Sequence, residues 1–110
     1  MNIDHLNSEL ITHLIIKSLS FTTDMDSNYF ESTLKLVLCK DENLPDELIE
    51  VVFTDVSNLS LNEIGGGLSQ ICYLNIEDIR ANQLDRKYYK VRDLENDVIS
   101  FYCKSIKCSS

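Results

Sequence analysis

The sequence predicts a mostly β domain, an antiparallel sandwich or a strongly curved sheet of six to seven strands, with a short helix at the N-terminus. Three observations predict it. Beyond residue 14 apolar and polar residues alternate over most of the chain, the period of a half-buried strand. Clusters of turn-forming residues interrupt that alternation at short intervals. Nothing in the 110 residues repeats or reads as a linker, and at roughly 100–200 residues per domain this length makes one domain, 1–110.

The elements follow in order. Leu6, Leu10 and Leu14 recur every four residues, with Ile3 and Ile11 beside them and Asp4 or Asn7 as N-cap, which predicts a helix in the first dozen residues. From Leu14 to about Thr23 the period becomes two and β-branched residues are frequent, the pattern of a strand. Asp24-Met25-Asp26-Ser27-Asn28 is a turn, and Phe30 to Cys39 gives the cleanest alternation in the chain, closing an antiparallel hairpin. Lys40 to Glu47, with Pro45 inside it, reads as an exposed acidic loop before a strand from Leu48 to Val56. Ser57-Asn58 breaks that strand, and Leu59 and Leu61 resume the alternation after a bend.

Gly65-Gly66-Gly67 reads as a turn, because no Lys-Ser or Lys-Thr follows to complete a phosphate cradle. Ile71 to Ile79 is the next strand, followed by a turn or short helical piece over Ala81 to Arg86. Tyr88 to Leu94 and Val98 to Ile106 form a hairpin about Glu95-Asn96-Asp97. Ile99, Phe101 and Cys103 share a parity that Ile106 and Cys108 break, so a bulge near Lys104-Ser105 or a frayed end is expected.

Charge narrows the function. The chain carries 18 acidic and 10 basic residues, net -8, and residues 1 to 63 hold 12 of the acids but only 3 bases. Direct binding to nucleic acid is disfavoured, since affinity for phosphates comes from Lys and Arg releasing counterions, and anionic membranes are disfavoured likewise. Asp41, Glu42, Asp46, Glu47 and Glu50 crowd into ten positions, with Asp24, Asp26 and Glu31 upstream. Such a cluster either keeps a loop solvated or presents a negative surface to a basic partner.

No apolar run reaches the roughly 20 residues of a membrane helix, and the first residues lack a basic and then apolar leader, so a cytoplasmic protein is expected. In that compartment Cys39, Cys72, Cys103 and Cys108 are expected as free thiols, the first three buried within apolar stretches. No Cys-x-x-Cys occurs and His5 and His13 lie far from the cysteines, so no zinc site is expected. Asp24-x-Asp26-x-Asn28 begins like a calcium loop, but Tyr29 stands where glycine is needed and Lys35 where a bidentate glutamate is needed. No catalytic motif is present, His13 reads as structural or exposed, and Tyr29, Tyr73, Tyr88, Tyr89 and Tyr102 read as half-buried strand residues or as a binding surface. No enzyme, metal or cofactor is nominated.

Val52-Phe53-x-Asp55-Val56-x-Asn58-Leu59, Leu74-x-Ile76-x-Asp78-Ile79 and Tyr89-x-Val91-x-Asp93-x-Glu95-Asn96-Asp97-x-Ile99-x-Phe101-x-Cys103 together resemble a widespread family of small bacterial β-rich proteins. The resemblance covers roughly residues 50 to 108. A weaker echo lies in His13-Leu14-Ile15-Ile16-Lys17-Ser18, where relatives tend to have His-Asp and Leu14 replaces the acid. Proteins like these are often associated with polymorphic toxin loci, including contact-dependent growth inhibition. The resemblance therefore implies an immunity protein that neutralises a neighbouring toxin domain.

Many such toxins are nucleases with basic grooves, which an acidic protein can occupy in place of nucleic acid. The expected partner is a basic, nuclease-like toxin domain, met by Asp41, Glu42, Asp46, Glu47 and Glu50 with Asp24, Asp26 and Glu31, and the free protein is expected to be a monomer. The alternatives are a small-ligand-binding or accessory β-domain, which needs a cavity between sheet faces, and a homo-oligomer paired through a strand edge.

Overall fold

The computed structural model describes residues 2–109, which fold into one helix and nine strands arranged in two antiparallel sheets. Helix α1 (Ile3–Thr12) is capped by Asn2, whose side chain accepts from the His5 N–H at 3.0 Å, in place of the expected Asp4 or Asn7. Asn7 has another task. Its amide donates to the Ile76 carbonyl at 3.0 Å and its oxygen accepts from the Ile76 N–H at 2.8 Å, as a neighbouring strand would. A ten-residue helix is marginal alone. Those two bonds and the burial of Leu6 and Leu10 fix it to the core.

The first sheet contains β1 (Ile15–Thr23), β2 (Ser32–Asp41), β3 (Leu44–Thr54), the two-residue β5 (Ser69–Gln70) and β9 (Ser105–Ser109), in the order β5-β1-β2-β3-β9. The second contains β4 (Ser57–Leu61), β6 (Leu74–Asp78), β7 (Tyr89–Asp93) and β8 (Ile99–Cys103), in the order β4-β8-β7-β6. Alternation does what period two requires. Leu34, Leu36, Leu38, Ile49, Val51 and Phe53 face inward from the first sheet, and Leu74, Ile76, Val91, Ile99, Phe101 and Cys103 from the second, in one continuous core. Phe53 meets Phe101 edge to face across it, with ring centroids 4.8 Å apart.

The predicted mostly β fold and N-terminal helix are present, and the strands exceed the expected six to seven because the two-residue β5 joins the first sheet and the end of the chain leaves the second sheet to form β9. After β3 it crosses at Asp55-Val56 and continues as β4 in the facing sheet. After β8 it crosses at Lys104 and returns as β9 beside β3. The parity slip after Cys103 is thus a change of sheet, where a bulge or frayed end was expected: Ile106 points at the same core from the opposite wall. These two crossings lie at one corner, tied by the Lys104 N–H to the Thr54 carbonyl at 3.0 Å. A register shift does occur elsewhere, in β1 between Ile16 and Ser18.

Three other expectations change. Lys40 to Glu47 is no loop: β2 runs to Asp41, β3 starts at Leu44, and Glu42-Asn43 joins them tightly, because the Asp41 carboxylate accepts from the Asn43 N–H at 2.9 Å. The strand expected over Ile71 to Ile79 is shorter, Leu74–Asp78, and the helical piece is a single 3-10 turn at Arg80–Asn82. Gly65, Gly66 and Gly67 all have φ between 75° and 119°, so this turn requires the backbone freedom glycine provides.

Candidate functional site

The carboxylates singled out in the sequence fall on one sheet, in two groups. Asp41, Glu42, Asp46 and Glu47 surround the β2–β3 turn, all exposed, with Lys40 placed 3.9 Å from Glu47. Asp41 and Glu42 rim a surface cleft of about 240 Å³ whose apolar wall includes Leu14, Ile15 and Ile71. Asp24, Asp26 and Glu31 belong to the β1–β2 turn, at the other end of β2, which at about 3.3 Å per residue is roughly 30 Å away. Glu50 belongs to neither group. It lies on the outer face of β3, 3.5 Å from Lys35. Consecutive turns of a meander lie at opposite ends of the strand they share, so the structure does not bring the eight together.

Asp24, first residue of the calcium-like motif, spends its carboxylate on the turn, accepting from the Asp26 N–H at 2.9 Å. Among the described residues no group of three His, Cys, Asp or Glu side chains is placed to hold a metal ion. His13 is buried and structural: Nδ1 stands 2.9 Å from the Glu9 carbonyl, donating to it at the helix end. All four cysteines are free. Cys39 and Cys103 are buried as expected, but Cys72 is exposed, its Sγ accepting from the Asn96 amide at 2.9 Å, because the chain there bends between β5 and β6 and is not yet a strand. Burial pushes the Cys103 thiol up to about 12, with the Asp55 charge acting in the same direction.

Sequence reasoning missed two buried carboxylates. Asp55, 5% exposed, sits at the sheet crossing, and both its oxygens bind Arg86 in a two-pronged ion pair, Nε to Oδ2 at 2.7 Å and Nη2 to Oδ1. Hydrogen bonding to Asp55 raises the Arg86 guanidinium above its ordinary value, and the nearby charges of Asp55, Asp85 and Glu31 add to that. The same guanidinium lies 5.0 Å from the ring centroid of Tyr29. The second is Asp93, fully buried, which accepts from the backbone N–H groups of Tyr73, Glu95 and Val98 and thereby organises the turn at Glu95-Asn96-Asp97. The signal for both was parity: Asp55 continues Val51 and Phe53, and Asp93 continues Tyr89 and Val91, on the inward face.

Tyrosines divide between the two expected roles. Tyr89 and Tyr102 are half-buried, the latter with Lys87 and Lys90 over its ring at 4.9 and 5.5 Å, whereas Tyr29, Tyr73 and Tyr88 are exposed. No helix among the described residues is long and apolar enough to cross a membrane.

The molecule is thus an acidic β-sandwich with exposed carboxylates on the turns at both ends of β2. Comparison with curated proteins and with solved structures gave no match. The family model described as Immunity protein PIM8 matches residues 1–109, nearly the whole chain and both sheets. Its name and the resemblance over residues 50 to 108 agree on a toxin-neutralising role, and the chain belongs to the PIM8 family of immunity proteins.

Proposed function

We propose that the protein neutralises a basic toxin domain of nuclease type by binding it in the cytoplasm as a non-catalytic inhibitor, monomeric when free, through its acidic surface. The family match over residues 1–109 carries the immunity role. The nuclease and the acidic surface are supported by charge. A nuclease groove is positive because it must hold phosphates, and a protein of net -8 presenting exposed carboxylates on the turns between its strands matches that field. Small-ligand binding gains nothing from the interior, where side chains of both sheets interlock, and the surface clefts of about 140 to 340 Å³ reach only the low end of the roughly 300–1,000 Å³ of small-molecule pockets.

The test is association kinetics with the C-terminal domain of the protein encoded immediately upstream. One variant reverses Asp41, Glu42 and Asp46 to Lys, and a second reverses Asp26 and Glu31. At least one of them should slow association tenfold or more at low ionic strength and flatten its dependence on salt. Wild-type kinetics in both variants would reject the acidic surface and leave immunity to another face.

A further inference from the structure

The end of the sandwich bearing the β1–β2 turn combines two features. It exposes Tyr29 and Phe30 at 66% and 58%. It gathers three of the seven non-glycine residues with left-handed φ among the described residues, Phe30, Asp55 and Arg86 at 52°, 57° and 61°, a conformation that costs side-chain-bearing residues energy and persists where contacts hold it. The enforcing contacts are visible, since Arg86 is clamped by Asp55 on one side and stacks on Tyr29 on the other. Tyr29 is held in solvent by the clamped Arg86, Phe30 is exposed next to it, and exposed aromatics mark binding surfaces more than polar turns do.

A cleft of about 340 Å³ opens beside the Tyr29–Arg86 stack, walled further by Glu31, Asp55, Asp85, Tyr88 and Lys104. Asp55 is taken up by Arg86, but neither Glu31 nor Asp85 forms an ion pair with a described residue. Asp24 and Asp26 add negative charge from the same turn. The cleft, which its own Lys104 also lines, therefore offers the carboxylates of Glu31 and Asp85 to a cation, and Phe30 lines the adjoining cleft that shares Asp55, Asp85 and Arg86.

We infer that this end, rather than the β2–β3 turn, docks the toxin, and that its cleft receives a lysine or arginine side chain from the toxin surface, with Phe30 packing beside it. The inference rests on the toxin-binding reading and selects one of the two acidic groups.

Binding of the upstream-encoded C-terminal domain is measured by calorimetry for the wild type, Phe30→Gly, and Glu31→Gln combined with Asp85→Asn, each with a thermal melt. Glycine is favoured at the φ of Phe30, so this variant should melt at or above the wild-type temperature while binding at least tenfold more weakly. A merely structural Phe30 would move both readouts together. The double variant keeps side-chain shape and should also lose at least tenfold. Wild-type affinity in both variants would overturn the inference while leaving immunity intact, and no complex with the wild type would overturn the functional reading together with it. Sedimentation of the free protein covers a second copy as occupant: a dimer that Phe30→Gly dissolves would assign this face to self-association and reject the toxin.

Discussion

Replacing Asp93 with Ala should be among the most damaging single changes in the chain, although the residue faces no ligand. Its carboxylate is fully buried and accepts from Tyr73 at 3.0 Å, Glu95 at 3.2 Å and Val98 at 3.3 Å, joining the chain before β6 to the turn between β7 and β8. Hydrogen bonds to a charged acceptor contribute about 1.5–3 kcal/mol each, and the two longer ones belong at the low end. Against that stands the cost of burying the carboxylate itself, several kcal/mol, which alanine removes. The balance is a destabilisation of about 3 kcal/mol, and of about half as much for Asn, which keeps an acceptor but turns its amide toward at least one N–H donor. For a domain of 110 residues about 3 kcal/mol lowers the melting temperature by roughly 12 °C. The assay is thermal and urea denaturation followed by circular dichroism, with hydrogen exchange at Tyr73 and Val98 as the local readout. Melting within about 2 °C of wild type for Asp93→Ala, or no faster exchange at those two amides, would refute the reasoning.

Further outcomes follow from the same physics. Phe101→Ala removes one ring of the pair that joins the sheets and should cost about 3–5 kcal/mol by urea denaturation, more than any exposed substitution. Asn7→Ala breaks both bonds that hold α1 to the edge of β6 and should cost about 1–3 kcal/mol, with accelerated exchange of the Ile76 amide. The Cys103 thiol, raised to about 12, stays protonated in the folded chain while the unfolded thiol ionises near pH 9. Stability from this group is thus complete below pH 9 and lost between pH 9 and 12, at up to about 1.4 kcal/mol per pH unit, and Cys103→Ala should flatten that part of a stability profile. At pH 8 a thiol reagent should label the exposed Cys72 and leave Cys103 untouched in the native state.

Much of the fold was legible because period-two alternation reports one thing well, which face of a strand is buried. It placed β1, β2, β7 and β8 and the hairpins joining them. It could not distinguish a bulge from a change of sheet, since either one inverts the parity between Cys103 and Ile106. The same alternation marks Asp55 and Asp93 as inward-facing carboxylates, but their partners were hidden: Arg86 lies 31 residues from Asp55 along the chain. Composition found the acidity and not its arrangement. Asp41 and Asp24 read as parts of one cluster until β2, lying between their turns, separates them by its own length. Phe30 read as the start of a strand and Tyr29 as a half-buried strand residue or a binding surface, because only Arg86 over Tyr29 and the left-handed φ of Phe30 reveal that both stand in solvent.

The central claim, that this β-sandwich silences a toxin by contact, is tested most directly by co-expressing the chain with the C-terminal domain encoded immediately upstream and scoring growth together with co-purification. The account predicts restored growth and a stable complex that survives purification. Undiminished toxicity with the folded protein present, or a toxin that never co-purifies, would contradict it.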